Sequence, residues 1–495
     1  MQLRPYQARA ITELRQSFRA GHKRTILCMP TGAGKTACFT KIALDTLQKN
    51  LFNRVLIITD RVELCMQTFG ALRNFAIEPE LYNADTPSGT EPAGRCIVAM
   101  VETIKRREKA GKLRLGEFSL IIIDEAHKAN FKRIFEIYPK TLVIGATATP
   151  LAASKKDPLN NYYSDIVEPV TIPQLVAERF LMPERAYAMQ EVNRDEMTRS
   201  STGDYTAKSQ EKQFSSRKVF AGLVKAYREH AAAGKTIIFC PNISVTYDVQ
   251  TELQQAGFNN IYAVTSRNSK DERDSILNDF HRCDSGAIVN CGILTTGYDH
   301  PPIDTVILYR ATTSKPLYCQ MIGRASRQAP GKEHFTTIDM GGNIHAFGRW
   351  ADLSEWTKVF RDPPKRGVSQ PPPVKECPKC EAINRASAMT CEVCGFDFPE
   401  PERKESEGVL VPLDEITGRK VSELSPAELL SLERQKKLKP TFVWRVCRTH
   451  GIEFLKQYAS LSSKKQGWVF YQTKNYMERT GFHDYTIKPT MGVNA

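Results

Sequence analysis

The run Thr25-Ile26-Leu27-Cys28-Met29 passes through Pro30 into Thr31-Gly32-Ala33-Gly34-Lys35-Thr36, and residues 35–48 then carry a helical pattern. An apolar β-type run, a glycine loop and a helix in that order make a phosphate cradle. The glycines let successive backbone N–H groups converge on an anion at the positive end of the helix. In that setting Lys35 reaches the β- and γ-phosphates of ATP and the Thr36 hydroxyl holds Mg2+. Thr31, Gly32, Ala33, Gly34, Lys35 and Thr36 are therefore candidate nucleotide-binding residues. The full pattern has glycine at position 29, where this chain has Met29. The bland alternative, a glycine-rich turn with an incidental Lys-Thr, lacks the strand–loop–helix setting that the motif requires.

Working outward, residues 1–150 alternate apolar β-type runs (25–29, 55–59, 97–101, 120–124 and 142–146) with helical patterns. Near-continuous apolar strands between helices predict a doubly wound parallel sheet. The run Leu120-Ile121-Ile122-Ile123 ends in Asp124-Glu125-Ala126-His127. A carboxylate at the end of such a strand is the second half of a nucleotide site. Asp124 would bind Mg2+ through water, and Glu125 would orient or deprotonate the attacking water. A helix-start cap is the structural alternative.

A second β/α series occupies 236–240, 260–265, 287–291, 305–310 and 335–339, so two α/β units of similar size stand in tandem. The segment 169–189 is expected to cross between them, and the polar run 190–213 to be a mobile insert. Within the second unit lies Gln320-Met321-Ile322-Gly323-Arg324-Ala325-Ser326-Arg327. On a helix Arg324 and Arg327 fall on one face. An arginine that reaches a transferring phosphoryl group is worth about 10³–10⁵ in rate. The alternative is a solvated basic helix.

The whole chain has 495 residues, which is about three domains at roughly 150 residues each. It is 41% hydrophobic and 25% charged, a balance that excludes general disorder. No apolar run approaches the ~20 residues of a membrane span, and the opening MQLRPYQARA has no secretory leader pattern. A cytoplasmic location is expected. The net charge of +14 suggests a polyanionic partner. Of thirteen cysteines, four form Cys377-x2-Cys380 and Cys391-x2-Cys394. Two such pairs can close a tetrahedral thiolate shell around Zn2+, and Gly395 suits the turn after the second pair. An iron–sulfur cluster and reactive cysteines are the alternatives. The proline-rich run PPKRGVSQPPPVK precedes this module as a stiff spacer. Beyond it, residues 434–479 hold eleven Lys/Arg against two Glu, with Phe442, Trp444, Tyr458, Trp468, Phe470, Tyr471 and Tyr476 interleaved. Such a stretch could stack bases beside phosphate-binding side chains, or its aromatics could form a small core.

With these motifs in hand, the chain resembles superfamily 2 helicases of the DEAD/DEAH type from about Leu3 to Asn343. Leu3-Arg4-Pro5-Tyr6-Gln7 resembles the adenine-reading motif, with Arg4 and Gln7 at the base. MPTGAGKT and DEAH resemble motifs I and II. Thr147-Ala148-Thr149-Pro150 resembles motif III, Thr295-Thr296-Gly297-Tyr298-Asp299 motif V, and Gln320–Arg327 motif VI. More narrowly, LRPYQ, ILTTGYDHP, QMIGRASRQAPGK and the CPKC…CEVC module are similar to RadD-like bacterial and phage DNA helicases. The four-cysteine tail is shorter than in that type, and Gly467-Trp468-Val469-Phe470-Tyr471 resembles the ending of phage relatives.

The resemblance implies two RecA-like domains (1–165 and 166–362), a zinc ribbon (374–400) and a basic C-terminal α+β region (404–495). It implies ATP at Arg4, Gln7, the phosphate loop, Gly297 and Asp299, with Lys35, Asp124, Glu125, Gln320, Arg324 and Arg327 catalytic. It also implies nucleic-acid contacts at Arg61, Thr103, Lys105, Thr295 and Thr296. His127 and Gln320 are expected to meet across the cleft; a local hydrogen bond of His127 is the alternative. The implied activity is a monomeric ATP-dependent motor on single-stranded, forked or duplex DNA, serving repair, recombination or replication, with repair or replication proteins as partners. A restriction-type motor subunit and an ATP-switched DNA-binding scaffold are the competing functions. Asp397, Glu402 and Lys404 mimic a nuclease triplet, but in a proline-rich link without strands.

Overall fold

A computed structural model of the chain describes residues 3–128, 131–151, 157–189, 192–201, 203–353, 356–363, 372–399, 424–436, 443, 446–447 and 450–462. The first sheet holds β1 (Arg24–Cys28), β2 (Val55–Thr59), β3 (Pro79–Tyr82), β4 (Cys96–Met100), β5 (Leu120–Asp124), β6 (Leu142–Thr147) and β7 (Asp165–Val167). Its order is β3-β4-β2-β5-β6-β1-β7, and every pairing is parallel. Strands β2 and β5 are buried along their whole length, as helices on both faces of a parallel sheet require. The order sets β6 between β1 and β5, so the loops that follow these three strands open side by side.

The second sheet holds β8 (Glu184–Ala188), β9 (Lys235–Phe239), β10 (Ile261–Val264), β11 (Gly286–Asn290), β12 (Ile303–Leu308) and β13 (Phe335–Asp339). It runs β10-β11-β9-β12-β13-β8, again all parallel. The two tandem doubly wound units are as the apolar periodicity suggests, with strand ends within two residues. In these two sheets three of the described strands were not anticipated: β3, β7 and β8. All three are sheet edges, where one side of the strand is open and the long apolar run of a central strand is not needed. Strand β7 carries the first sheet to Val167, past the boundary expected at 165.

The polar run 190–213 differs from expectation. It contains the helix Ala207–Phe214, and its described part is fastened to the loops after β12 and β13. Arg194 donates to Thr312 O at 2.7 Å and Gly341 O at 2.8 Å. Asp204 accepts from Thr313 N at 2.8 Å and Thr312 Oγ1 at 2.9 Å. Polar composition here reflects hydrogen bonding to loop backbone, which needs donors and acceptors in place of apolar side chains.

After β13 the chain returns to the first sheet. Glu168, just beyond β7, accepts from Thr357 N and Thr357 Oγ1, both at 2.8 Å, within the helix Trp356–Arg361. The hairpin β14 (Val374–Glu376) and β15 (Ile383–Arg385) then opens the four-cysteine module. A bridge between Ala382 and Tyr187 sets this module on β8. Residues beyond Pro399 form a separate compact unit. Its described part includes the helices Pro426–Lys436 and Ile452–Leu461 around Leu429, Val446, Leu455 and Tyr458. Tyr458 is buried there, with its hydroxyl on Glu433, so this aromatic serves a core. Phe442, Trp444, Trp468, Phe470, Tyr471, Tyr476, Glu402 and Lys404 lie outside the described residues. No helix among the described residues is long and apolar enough to cross a membrane.

Candidate nucleotide-hydrolysis cleft

Between β1 and the helix Lys35–Lys49, Gly32 and Gly34 adopt φ of +85° and +79°. Only glycine holds such angles without strain, and a Cβ on Gly34 would also strike the Gln7 amide. Lys35 Nζ lies 3.2 Å from Met29 O. Position 29 thus contributes a carbonyl, which any residue supplies. The Met29 side chain turns into the core, with its sulfur 3.7 Å from Cys38 Sγ, which explains how methionine is accommodated.

Gln7 and Tyr6 close over this loop, donating to Ala33 O at 3.1 and 3.0 Å. Arg4 N donates to Gln7 Oε1 at 3.0 Å, and the Arg4 guanidinium lies 4.9 Å from the Phe180 ring centre. Arg4, Gln7 and the loop therefore come together as expected. Phe180 was not found from sequence, because it lies in the crossing segment with no motif around it.

At the end of β5 the Asp124 carboxylate accepts from Glu125 N at 3.0 Å. Glu125 has φ +52°, a conformation a non-glycine residue holds at a cost of about 1–3 kcal/mol and one that clusters at working sites. Burial, reinforced by the neighbouring Glu125 charge, pushes the Asp124 carboxyl up to about 7. For Glu125 burial acts upward too, but His127, Lys35, Lys128 and Arg324 outweigh it and hold the carboxyl below its ordinary range. Burial lowers His127, against the pull of Glu125. The Asp124 carboxyl and the Thr36 hydroxyl offer hard oxygen donors of the kind Mg2+ takes. A divalent cation on Asp124 and Thr36 fits that donor set.

The second unit meets the first at this point. The helix Lys315–Ile322 starts at Ser314, whose hydroxyl accepts from Leu317 N at 3.3 Å, with Pro316 in its first turn. Near its end, Gln320 Nε2 lies 3.3 Å from Glu125 Oε2. His127 Nδ1 lies 3.2 Å from that same oxygen and 2.9 Å from Thr147 Oγ1. The expected meeting of His127 with Gln320 is thus corrected. His127 bonds locally, as the alternative held, and both side chains converge on Glu125. Gly323 packs against Thr31: a Cβ there would stand 2.6 Å from Thr31 Cβ. Gln67 donates to Gly297 O, and Arg61 Nη1 lies 3.4 Å from Gly292 O.

Arg324 and Arg327 follow the helix and do not ride on it, because it ends at Ile322. Arg324 donates to Thr295 O at 2.6 Å and Tyr298 O at 2.5 Å, while Arg327 pairs with Asp299. Both arginines are therefore held by the loop that carries Gly297 and Asp299. Burial lowers each guanidinium to about 10. Of the nucleic-acid candidates, Thr103, Thr295 and Thr296 are buried. Lys105 pairs with Glu102 at 3.1 Å, and Arg61 spans the two units. An ion pair of Lys128 with Asp60 joins the segments after β5 and β2.

Cys377, Cys380, Cys391 and Cys394 bring their sulfurs within 4.8 Å of one another. The pairs Cys377–Cys394 and Cys380–Cys391 stand 3.6 and 3.7 Å apart. Four sulfurs at ~2.3 Å from a tetrahedral metal have edges of about 3.8 Å, so the shell is already shaped for one ion.

The comparisons follow this division of labour. Residues 1–152 match the family described as type III restriction enzyme, res subunit, and residues 218–329 match the helicase conserved C-terminal domain. A 51.5 kDa protein of Lactococcus phage (isolate 7-9) is 27% identical over 396 residues, covering 79% of this chain and 82% of that protein. A Saccharomyces cerevisiae protein named as an ATP-dependent helicase, IRC3, is 29% identical over 365 residues, covering 69% of this chain and 51% of its own length. The chain thus spans about half of that yeast relative. A type ISP restriction-modification enzyme, solved bound to DNA, shares the fold with a TM-score of 0.51 at 18% identity, over 68% of this chain and 28% of that one. With the res-subunit match over the first sheet, the helicase C-terminal match over the second, and motifs from both sheets meeting on Glu125, the chain has the two-part make-up of a superfamily 2 DEAD/DEAH-like helicase, an enzyme that hydrolyses ATP.

Proposed function

We propose that this chain is a DNA-dependent motor, RadD-like in type, that couples ATP hydrolysis to movement on DNA in repair, recombination or replication. The observation that carries it is the sharing of Glu125 Oε2 between His127 of the first unit and Gln320 of the second. A water-activating carboxylate gripped from both sides is set only when the cleft is closed. In this reading Lys35 and the loop N–H groups hold the phosphates, and Glu125 takes a proton from water. Arg324 and Arg327 exchange their partners in the 295–299 loop for the γ-phosphate, so ATP favours the closed state and hydrolysis releases it. Thr36 and Asp124 would hold Mg2+, which neutralises phosphate charge. Arg4 and Gln7 would read adenine, with Gly297 and Asp299 completing the far wall.

Supporting DNA are the basic balance of the chain and its likeness to a restriction enzyme solved on DNA. Arg61 and Lys105 are proposed phosphate contacts. Thr103 lies in the first turn of the helix Val101–Lys109, and Thr295 and Thr296 in the loop after β11, where backbone groups would do the contacting. The four-cysteine module is proposed to hold a structural Zn2+, its four thiolates leaving no open position. We place the protein as a monomer in the cytoplasm of a bacterium or a phage-infected host. A restriction-type motor is the second reading, favoured by the res-subunit match.

The test is ATP hydrolysis with and without DNA, in wild type, Lys35→Ala and Glu125→Gln, followed by strand displacement on forks, tails and blunt duplexes. The motor reading expects stimulation by DNA and its loss in both variants. Hydrolysis indifferent to DNA makes the protein a switched scaffold. Strand separation is not required, since translocation alone satisfies the reading.

A further inference from the structure

Between the cysteine module and the cleft runs one continuous set of contacts. Glu392 follows Cys391 directly, and its backbone N–H is held by Asn384 Oδ1 at 3.0 Å, while Asn384 Nδ2 donates to Cys391 Sγ at 3.5 Å. The Glu392 carboxylate receives Arg349 Nη2 at 2.7 Å. Arg349 is 3% exposed, and among the described residues its Nε and Nη1 have no hydrogen-bond partner. Asp352 stands 3.8 Å from Nε and is also bound by Arg385 of β15 at 2.6 Å. Next to Arg349, the Gly348 carbonyl accepts from Tyr318 Oη at 2.9 Å. Gly348 has φ +83° and packs on Pro372 at the start of the module. Tyr318 is fully buried in the helix Lys315–Ile322, two residues before Gln320.

We infer that Arg349 is a positioning residue. It clamps the metal-binding module against the segment behind the Gln320 helix, so that metal occupancy sets where Gln320, Arg324 and Arg327 stand in the cleft. A buried guanidinium whose one hydrogen-bonded carboxylate, among the described residues, sits beside a metal-binding cysteine makes the two halves of the contact mutually dependent. When the thiolates lose their ion, Glu392 loses its fixed place, and Arg349 remains in the interior without its hydrogen-bonded carboxylate, left to the longer-range charges of Asp352 and Glu184. The 348–352 segment then relaxes, and Tyr318 with it. The four sulfurs have no catalytic task in this scheme. Their effect on hydrolysis passes through Glu392, Arg349 and Tyr318.

The inference rests on the reading of the cleft as the hydrolysis site. It is tested with full-length protein carrying its metal, in wild type, Glu392→Ala and Glu392→Gln. Glu392 lies half-exposed on the module, so these changes remove the clamp without altering a sulfur or a core side chain. Three quantities are read: metal content per chain, hydrogen exchange of peptides covering 315–327, and kcat and KM for ATP with DNA present. Glu392→Ala is expected to keep its metal, to exchange faster across 315–327, and to lose about tenfold in kcat with KM within twofold, because these groups act in the transition state. Glu392→Gln, which keeps an acceptor oxygen, should recover most of the protection. Stripping wild type with a chelator should reproduce the exchange of Glu392→Ala, and stripping that variant should add little. Unchanged exchange across 315–327 in both Glu392→Ala and stripped wild type overturns the inference. So does a stripped protein that loses activity while Glu392→Ala keeps it, because the module would then act by another route. Absence of ATP hydrolysis in metal-loaded wild type would instead remove the reading of the cleft itself.

Discussion

Replacing Gly323 by alanine isolates the closed cleft from every other property of the chain. Gly323 follows the helix Lys315–Ile322 at φ −59°, where alanine is conformationally at ease, so the backbone imposes no penalty. The added methyl would stand 2.6 Å from Thr31 Cβ and 2.8 Å from Thr31 Cγ2. Ordinary carbon contact is ~3.5–4.0 Å, so the phosphate loop and the Gln320 helix must separate by about 1 Å. The Gln320 to Glu125 hydrogen bond, at 3.3 Å, cannot survive that separation. Overpacking of this kind costs roughly 1–3 kcal/mol, and here it falls on the closed state and not on either sheet. At about 1.4 kcal/mol per tenfold, kcat for DNA-stimulated hydrolysis should drop about 5- to 150-fold. The thermal midpoint should hardly move. Gly70→Ala is the control: it lies in the helix Val62–Asn74 with nothing within 4 Å of the new methyl, and it should leave kcat alone. The assay is steady-state hydrolysis over ATP concentration, with a parallel melting curve. A Gly323→Ala protein with wild-type kcat would show that turnover does not require this face-to-face packing, and the cleft argument would fail.

Gln320→Ala removes a buried hydrogen bond to a charged acceptor, worth ~1.5–3 kcal/mol; kcat should fall about 10- to 150-fold with KM little changed, and an equal rise in KM would contradict a transition-state role. Thr147→Val frees His127 from one of its two partners and should lower kcat less than His127→Ala does; the reverse order, measured in the same assay, would make Thr147 the more important group. Metal analysis of purified protein should return one zinc per chain, and iron in its place refutes the zinc ribbon. Burial first, then His281, lowers His300 to about 4, and burial lowers His127, His281 and His334 as well. Unfolded histidines bind protons near 6.5, and the folded ones do so only at lower pH. Stability must therefore fall on acidification from about 6.5 toward 4, by up to ~1.4 kcal/mol per pH unit for the buried His127 and by less for His281, His300 and His334, whose partly exposed rings are screened by water. A melting temperature that stays flat through that window would show that these rings are already charged in the native state.

Much of the cleft was legible one motif at a time. Lys35, Thr36, Asp124 and Glu125 could be named because phosphate and metal chemistry restrict both residue type and place: glycines where the loop turns left-handed, carboxylates at the end of an apolar strand. The four cysteines were equally plain, since C-x2-C spacing already matches a tetrahedral edge. Residues whose work is mutual were harder. Phe180 carries no motif. Arg324 and Arg327 looked like neighbours on a helix, but Gly323 ends that helix and sends them to different carbonyl and carboxylate partners. His127 and Gln320 were expected to meet within the two-domain mechanism that the resemblance implies, whereas Glu125 between them attracts both.

Read alone, the amino-acid order determines that there are two parallel α/β units and which side chains can cradle a triphosphate, because apolar periodicity and loop chemistry are local. It does not determine that β6 lies between β1 and β5, that edge strands β3, β7 and β8 complete the sheets, or that Thr31 meets Gly323. Those follow from which strand pairs with which and from how the two sheets press together. Such long-range choices are settled by shape and by the burial of opposed charges, and they leave no repeat in the sequence to be counted.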